Sequence, residues 1–220
     1  MTARVVILGG EGSGLIVADA VAALRACGDD VSALGLLNDS HEPGSIVGGL
    51  TVLGRFDDWR SVAGDVGFIA AFPRAKDGRT RLRRLRALGI PLERFATIRH
   101  PRAVVSTGAR VGRGCFIAAN AVIETGADVG AHGIVRAGAY VSHDVRLGEF
   151  GFVGPNATLL GRSRAGEGVH VGANAVCREG IEIGDYAVIG IGAVVVRNVE
   201  PFTVVAGNPA RPLPTVVSAR

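Results

Sequence analysis

The chain has 220 residues, 48% of them hydrophobic, which is enough to bury a core and too apolar for a disordered chain. Glycine is abundant at 33 residues and aromatics are only 5%, so the backbone must approach itself closely in many places. A net charge of +4 is too mild to mark a nucleic-acid or membrane-surface protein.

Residues 4–8 form an apolar run too short for a signal peptide and read as a strand. A glycine-rich turn follows, Gly9-Gly10-Glu11-Gly12-Ser13-Gly14, and residues 15–27 read as a helix with Gly28 as its stop. Residues 31–37 and 68–72 read as further strands and 79–88 as a second helix, so the segment is βαβ-like and implies a small Rossmann-like sheet. Gly10, Gly12, Ser13 and Gly14 stand where a helix N-terminus can hold an anion. The spacing is not GxGxxG, so no dinucleotide cofactor is expected. Asn38 and Asp39 end the second strand and can bind ribose or base hydroxyls, or simply make a tight turn. Arginines crowd residues 79–86, but Leu82, Leu85 and Leu88 form an apolar stripe at helical spacing, so the arginines face solvent rather than nucleic acid.

From Val105 onward nearly every sixth residue is aliphatic. Of the fifteen positions from Val105 to Ile189, thirteen are Val, Ile or Leu, against about four from the chain's overall share of these residues. The exceptions, Ala165 and Cys177, are small enough to face a core. Position five of each hexad is Ala, Gly, Ser or Cys in twelve of fifteen cases, and position two is often Gly. Short strands separated by turns of about 120° explain this pattern: position one points inward, position five fits the corner, and glycines relieve the turns. Three hexads close one triangular coil of 18 residues, so fifteen hexads build five stacked coils. The longest apolar stretch, residues 186–196, is about half a membrane span, so no membrane insertion is expected. Three cysteines, Cys27, Cys115 and Cys177, without metal spacing fit a reduced cytoplasmic compartment.

The hexads resemble those of the left-handed β-helix acyltransferases, and the left hand is implied by that resemblance. Further segments sharpen it: VILGGEGSG (6–14), GLLND (35–39), VLG (52–54) with Asp57 and Asp58, FATIRHPRA (95–103), YVSHD (140–144) and GNPAR (207–211). In this order they resemble the NeuD/PglD-type sugar O-/N-acetyltransferases across nearly the whole chain. The expected fold is thus an α/β Rossmann-like domain (1–98), a junction (99–104), an all-β left-handed parallel β-helix (105–198) and a tail (199–220). The resemblance implies a homotrimer using acetyl-CoA as acyl donor.

His143 occupies position three of its hexad, an outer position from which an imidazole can act as general base at neutral pH. In the family the histidine before an acidic residue is the base, which implies this role for His143 and an orienting role for Asp144. By the same resemblance Gly161, one coil on, supplies the backbone N–H that stabilises the oxyanion. Gly161, Gly166, Ala173 and Gly192 match positions along the coenzyme groove between neighbouring prisms, and Arg211 can contact a coenzyme phosphate or be a solvated tail residue. His132, His143 and His170 are separated by 11 and 27 residues, unlike the zinc ligands of γ-class carbonic anhydrases, so no metal is expected.

Three positions depart from the family. Arg136 stands where relatives have an acceptor-side Asn, Phe152 where they have a second His, and Glu11 where a His is often found. The leading expectation is N-acetylation of a nucleotide-activated amino sugar, with the nucleotide-sugar held partly by the N-terminal domain. O-acetylation of sialic acid or another sugar is the alternative, and a non-catalytic trimeric scaffold the second.

Overall fold

The computed structural model describes residues 3–71 and 78–214. The chain divides into two compact units, one reaching Pro101 and taking in Arg113–Phe116, the other holding Arg102–Gly112 and continuing from Ile117.

The first unit contains β1 (Ala3–Leu8), α1 (Ser13–Ala26), β2 (Val31–Leu37), β3 (Ile46–Val47), β4 (Leu50–Gly54), β5 (Gly67–Ala70) and α2 (Gly78–Ala87). Its five-stranded sheet runs β3-β4-β2-β1-β5. All pairings are parallel except β3 with β4. The parallel strands are continuous apolar runs because both faces are covered: Val5, Val6, Ile7, Leu8, Leu36, Leu37, Phe68 and Ile69 are buried, with Val17, Ala20 and Val21 of α1. The β3–β4 hairpin escapes the sequence reading, although Gly48 and Gly49, both at positive φ, carry a two-residue hairpin signal. Helix α1 begins two residues earlier than expected, at Ser13, because Gly12 takes the N-cap at φ 68°. Strand β5 covers Gly67–Ala70; Phe72, the expected end of this strand, lies outside the described residues. In α2 the leucine stripe is buried, while Arg83, Arg84 and Arg86 are exposed.

The second unit is a parallel β-helix. Two-residue strands recur every six residues from Val104–Val105 to Val194–Val195, one strand beyond the expected last hexad. Each pairs with strands 18 residues before and after, as Tyr140 does with Val122 and Thr158. One face has six strands, ending in Val194–Val195, and a second has five, ending in Glu182–Ile183. The third carries Ile134–Val135, Phe152–Val153, His170–Val171 and Val188–Ile189 and ends in Val204–Gly207 and the antiparallel Ala210–Pro212.

Position one fills the interior. Val129, Val135, Val141, Val153, Leu159, Val171 and Ile189 are fully buried, and so is Cys177, with Ala165 nearly so. Each full burial of such an aliphatic side chain contributes about 1.5–3 kcal/mol. Alanines at position five, such as Ala139, Ala157 and Ala175, are equally buried and set the tight corner.

The glycines do not work as the repeat alone implies. Positive φ falls on position four throughout, from Gly114 to Gly192, and most of these residues are not glycine: Asn120, His132, Asp144, Phe150, Asn156, Arg162, Asn174 and Tyr186. The position-two glycines have ordinary φ but no room for a side chain. A Cβ on Gly130 would lie 2.7 Å from Glu149 N, and one on Gly172 would lie 2.8 Å from Ile189 O, both backbone atoms of the next coil. Where position two is glycine, it is small because coils touch there, not because the turn is strained. Among the described residues no helix is long and apolar enough to cross a membrane.

Candidate active site

Two of the expected site residues stack on the corner that follows the six-stranded face. His143 follows Tyr140–Val141, and Gly161 follows Thr158–Leu159 one coil above. Asp144 sits at φ 58°, the position-four conformation, which turns its carboxylate back so that Oδ2 lies 3.0 Å from His143 Nδ1. That contact leaves Nε2 as the outer nitrogen. The ring lies over Gly161: a Cβ there would stand 2.5 Å from Nε2. Only glycine allows this approach. The imidazole is partly open, with 45% of the side chain exposed.

The backbone around His143 is held from both coils. Its carbonyl accepts from Arg162 N–H at 3.0 Å above. Its N–H donates to Glu124 Oε2 at 3.0 Å below, and the same oxygen accepts from Ser142 Oγ at 2.9 Å. Tyr140 also hydrogen-bonds Glu124; it is the main cause, followed by Ser142, of a Glu124 carboxyl held below the usual carboxylate range. In turn the Tyr140 phenol is pushed up by its carboxylate partner. Glu124, Ser142 and Tyr140 escape the sequence reading. The available signal is the 18-residue spacing that stacks Glu124 under Ser142.

The other expected residues of this unit do not gather around His143 within one chain. Gly166 lies on the corner after the five-stranded face, where Asp185 N would be 2.9 Å from an added Cβ, so coil packing accounts for its small size. Ala173 and Gly192 lie on the corner after the third face, with Gly192 N–H bonded to Ala173 O at 2.8 Å. Gly192 has φ 67° and open space around a Cβ. Arg136 shares that third corner and is half-buried, and burial lowers its guanidinium from the ordinary value. Arg211 is exposed in the terminal hairpin and donates to the Ala210 carbonyl. Phe152 stacks on His170 with ring centroids 4.5 Å apart, and His132 stacks on Phe150 at 4.7 Å.

In the first unit the glycine-rich turn closes over the carboxyl ends of the parallel strands. Asn38 is buried and already engaged: its Nδ2 donates to Gly9 O at 3.1 Å and its Oδ1 accepts from Ser40 N at 2.7 Å. A side chain on Gly10 would collide with the Asn38 amide. Asn38 thus latches the turn to the end of β2. Gly14 lies in α1 beside Ile7 of β1, where an added Cβ would make only an ordinary contact at 3.6 Å. Ser13 opens the helix without a side-chain cap bond. Asp39 is the outward group. Its Oδ1 accepts from Phe56 N at 3.0 Å, and its Oδ2 pairs with Arg84 at 2.9 Å, whose guanidinium also reaches Asp57 at 3.5 Å. Glu11 pairs with His41 at 3.3 Å.

The model of the hexapeptide repeat of succinyl-transferase matches residues 103–143 and 164–197. No curated protein sequence matches the chain. The acetyltransferase domain of PglB from Neisseria gonorrhoeae, solved in complex with acetyl coenzyme A, is 31% identical, with a TM-score of 0.83 covering 97% of this chain and 100% of that one. PerB from Caulobacter crescentus, solved in complex with CoA and GDP-perosamine, is 29% identical, with a TM-score of 0.80 covering 97% of this chain and 99% of that one. WeeI from Acinetobacter baumannii shares the fold at 21% identity, with a TM-score of 0.79 covering 96% of this chain and 100% of that one. The hexads, the N-terminal α/β unit and a 31% identical relative matched over its whole length together show that the chain belongs to the NeuD/PglD-type sugar acetyltransferases, acyltransferases of the left-handed β-helix fold.

Proposed function

We propose that the chain transfers an acetyl group from acetyl-CoA to the amino group of a nucleotide-activated amino sugar, with His143 as general base. The observation that carries this reading is the ring itself: Asp144 takes Nδ1 and leaves Nε2 over Gly161. Nε2 accepts the proton as the amine nitrogen attacks the thioester carbon. The new N–C bond forms, the carbonyl electrons move to oxygen, and the C–S bond breaks as the oxyanion collapses, the coenzyme leaving as a thiolate that takes the proton back from Nε2. Gly161 N–H donates to that oxyanion, and Asp144 offsets the positive charge on the imidazolium. The acetyl coenzyme A complex of PglB and the GDP-perosamine complex of PerB support the choice of donor and acceptor class.

The glycine-rich turn, Ser13 and the Asn38-latched Asp39 would hold the nucleotide side of the acceptor, with Arg136 on the acceptor side of the prism. Gly166, Ala173, Gly192 and Arg211 would line the coenzyme path. Because one prism spreads these residues over three corners, the site needs a neighbouring copy, which supports a homotrimer.

The test is thiol release from acetyl-CoA with GDP-perosamine, a UDP-linked 4-amino sugar or sialic acid. Release with a nucleotide amino sugar, reduced by about 10²–10⁴-fold in His143→Ala, supports the reading. Release with sialic acid alone shifts the assignment to O-acetylation. A wild-type rate in His143→Ala removes the base, and acetyl-CoA binding without release leaves a scaffold.

A further inference from the structure

We propose that Glu124 is a positioning residue for the reaction, tying down the His143 amide from the coil below and holding a negative charge beside the imidazole. This rests on the reading of His143 as base.

The coil's hydrogen-bonding ladder uses the amides of positions two, four, five and six, as in Ser142, Asp144, Val145 and Arg146. The position-three amide is left over. At His143 the left-over N–H points down to Glu124 Oε2 at 3.0 Å. On this corner position two runs Ser106, Glu124, Ser142, Leu160 and Arg178 from coil to coil, so Glu124 is its one carboxylate. That carboxylate takes three donors, the Tyr140 hydroxyl, Ser142 Oγ and His143 N–H, all from the His143 coil. Such a set keeps it ionised and fixed.

Two consequences follow for the base. The His143 peptide is pinned below by Glu124 and above by Arg162 N–H, so the ring can hold its place over Gly161 although it is half open to solvent. The imidazolium formed during proton transfer has Asp144 Oδ2 3.0 Å from Nδ1 and also interacts electrostatically with Glu124, the carboxylate that holds its own backbone amide. The other groups stacked on this corner are neutral Thr125 below, neutral Gly161 above, and Arg162 above with its guanidinium turned to Glu179 at 3.8 Å. Removing Glu124's charge should therefore make the ring harder to protonate.

The test is a histidine titration by NMR on the full chain, which has five histidines. His143→Ala assigns the resonance by its loss. In Glu124→Gln, which keeps the shape and an acceptor, the His143 midpoint should move to lower pH. In Glu124→Asp, which keeps the charge and loses reach, the midpoint should stay nearer wild type while the His143 amide exchanges faster. A midpoint unmoved in Glu124→Gln, even with a lowered Tm, means that Glu124 only props the coil and overturns the proposal. Failure of the underlying reading looks different: His143→Ala would transfer acetyl to the amino-sugar acceptor at the wild-type rate, whatever the titration shows.

Discussion

The His143 ring and Gly161 meet across one coil so closely that a methyl group on Gly161 would stand 2.5 Å from Nε2 and 2.7 Å from Cε1. The obstructing atoms belong to the end of a half-exposed side chain, so it is the ring that yields. Gly161→Ala should fold with a nearly unchanged Tm and lose kcat on the order of 10²-fold, the cost of misplacing a reacting group by about 1 Å. A variant with full kcat would show that the ring works from another position.

Asp144 offers a clean test of orientation because its backbone is unusual. At φ 58° it occupies the left-handed region that Asn tolerates well and Ala does not. Asp144→Asn should therefore keep the fold and lower kcat at least about tenfold, by removing the charge beside Nδ1. Asp144→Ala should lose similar activity and also about 1 kcal/mol of stability. Thermal melts alongside the kinetics separate the two effects. Equal Tm losses in both variants would contradict this account.

The prism was legible because its signal is periodic: position one and position five each answer one packing demand, repeated coil after coil. The site was legible only in part. His143 and Asp144 stand together in sequence, and Gly161 lies one coil on. Glu124 gives no local sign, since its meaning depends on Ser142 and His143 being stacked above it. Gly166 shows the opposite limit: its small size suggested a path for the coenzyme, but the stacked Asp185 already demands it. In the N-terminal unit Asn38 looked like a ligand-facing residue, yet both ends of its amide are engaged with Gly9 and Ser40. The β3–β4 hairpin is hard to read because the two residues of β3 carry no periodicity.

Two glycines of the prism should respond oppositely to substitution. A Cβ on Gly148 would lie 2.6 Å from Gly166 C and 2.7 Å from Glu167 N, backbone atoms that cannot move without unstacking a coil. Gly148→Ala should cost about 1–3 kcal/mol. Gly180 has φ 66° and nothing within 4 Å of an added Cβ. Gly180→Asn should stay within about 0.5 kcal/mol of wild type. Denaturant melts of both variants check the ranking, and a reversed order would refute the assignment of position two to coil contact.

Cys177 replaces the usual aliphatic residue at position one and is fully buried, as is Cys115, whereas Cys27 is exposed. Burial pushes the Cys177 thiol up to about 12. Thiolate is the reactive form, so at pH 8 the native chain should react with a disulfide reagent quickly at Cys27 and at the other two cysteines only after unfolding. The same burial carries a pH dependence. In the unfolded chain the thiol ionises near pH 8.5, while the folded chain keeps its proton until about 12. Between these values the unfolded state binds fewer protons, so stability falls as pH rises. Cys177→Val, which restores the aliphatic pattern, should flatten the decline in Tm between pH 8 and pH 10. Rapid native labelling of all three thiols, or an unchanged slope in the valine variant, would place Cys177 outside the dry interior of the prism.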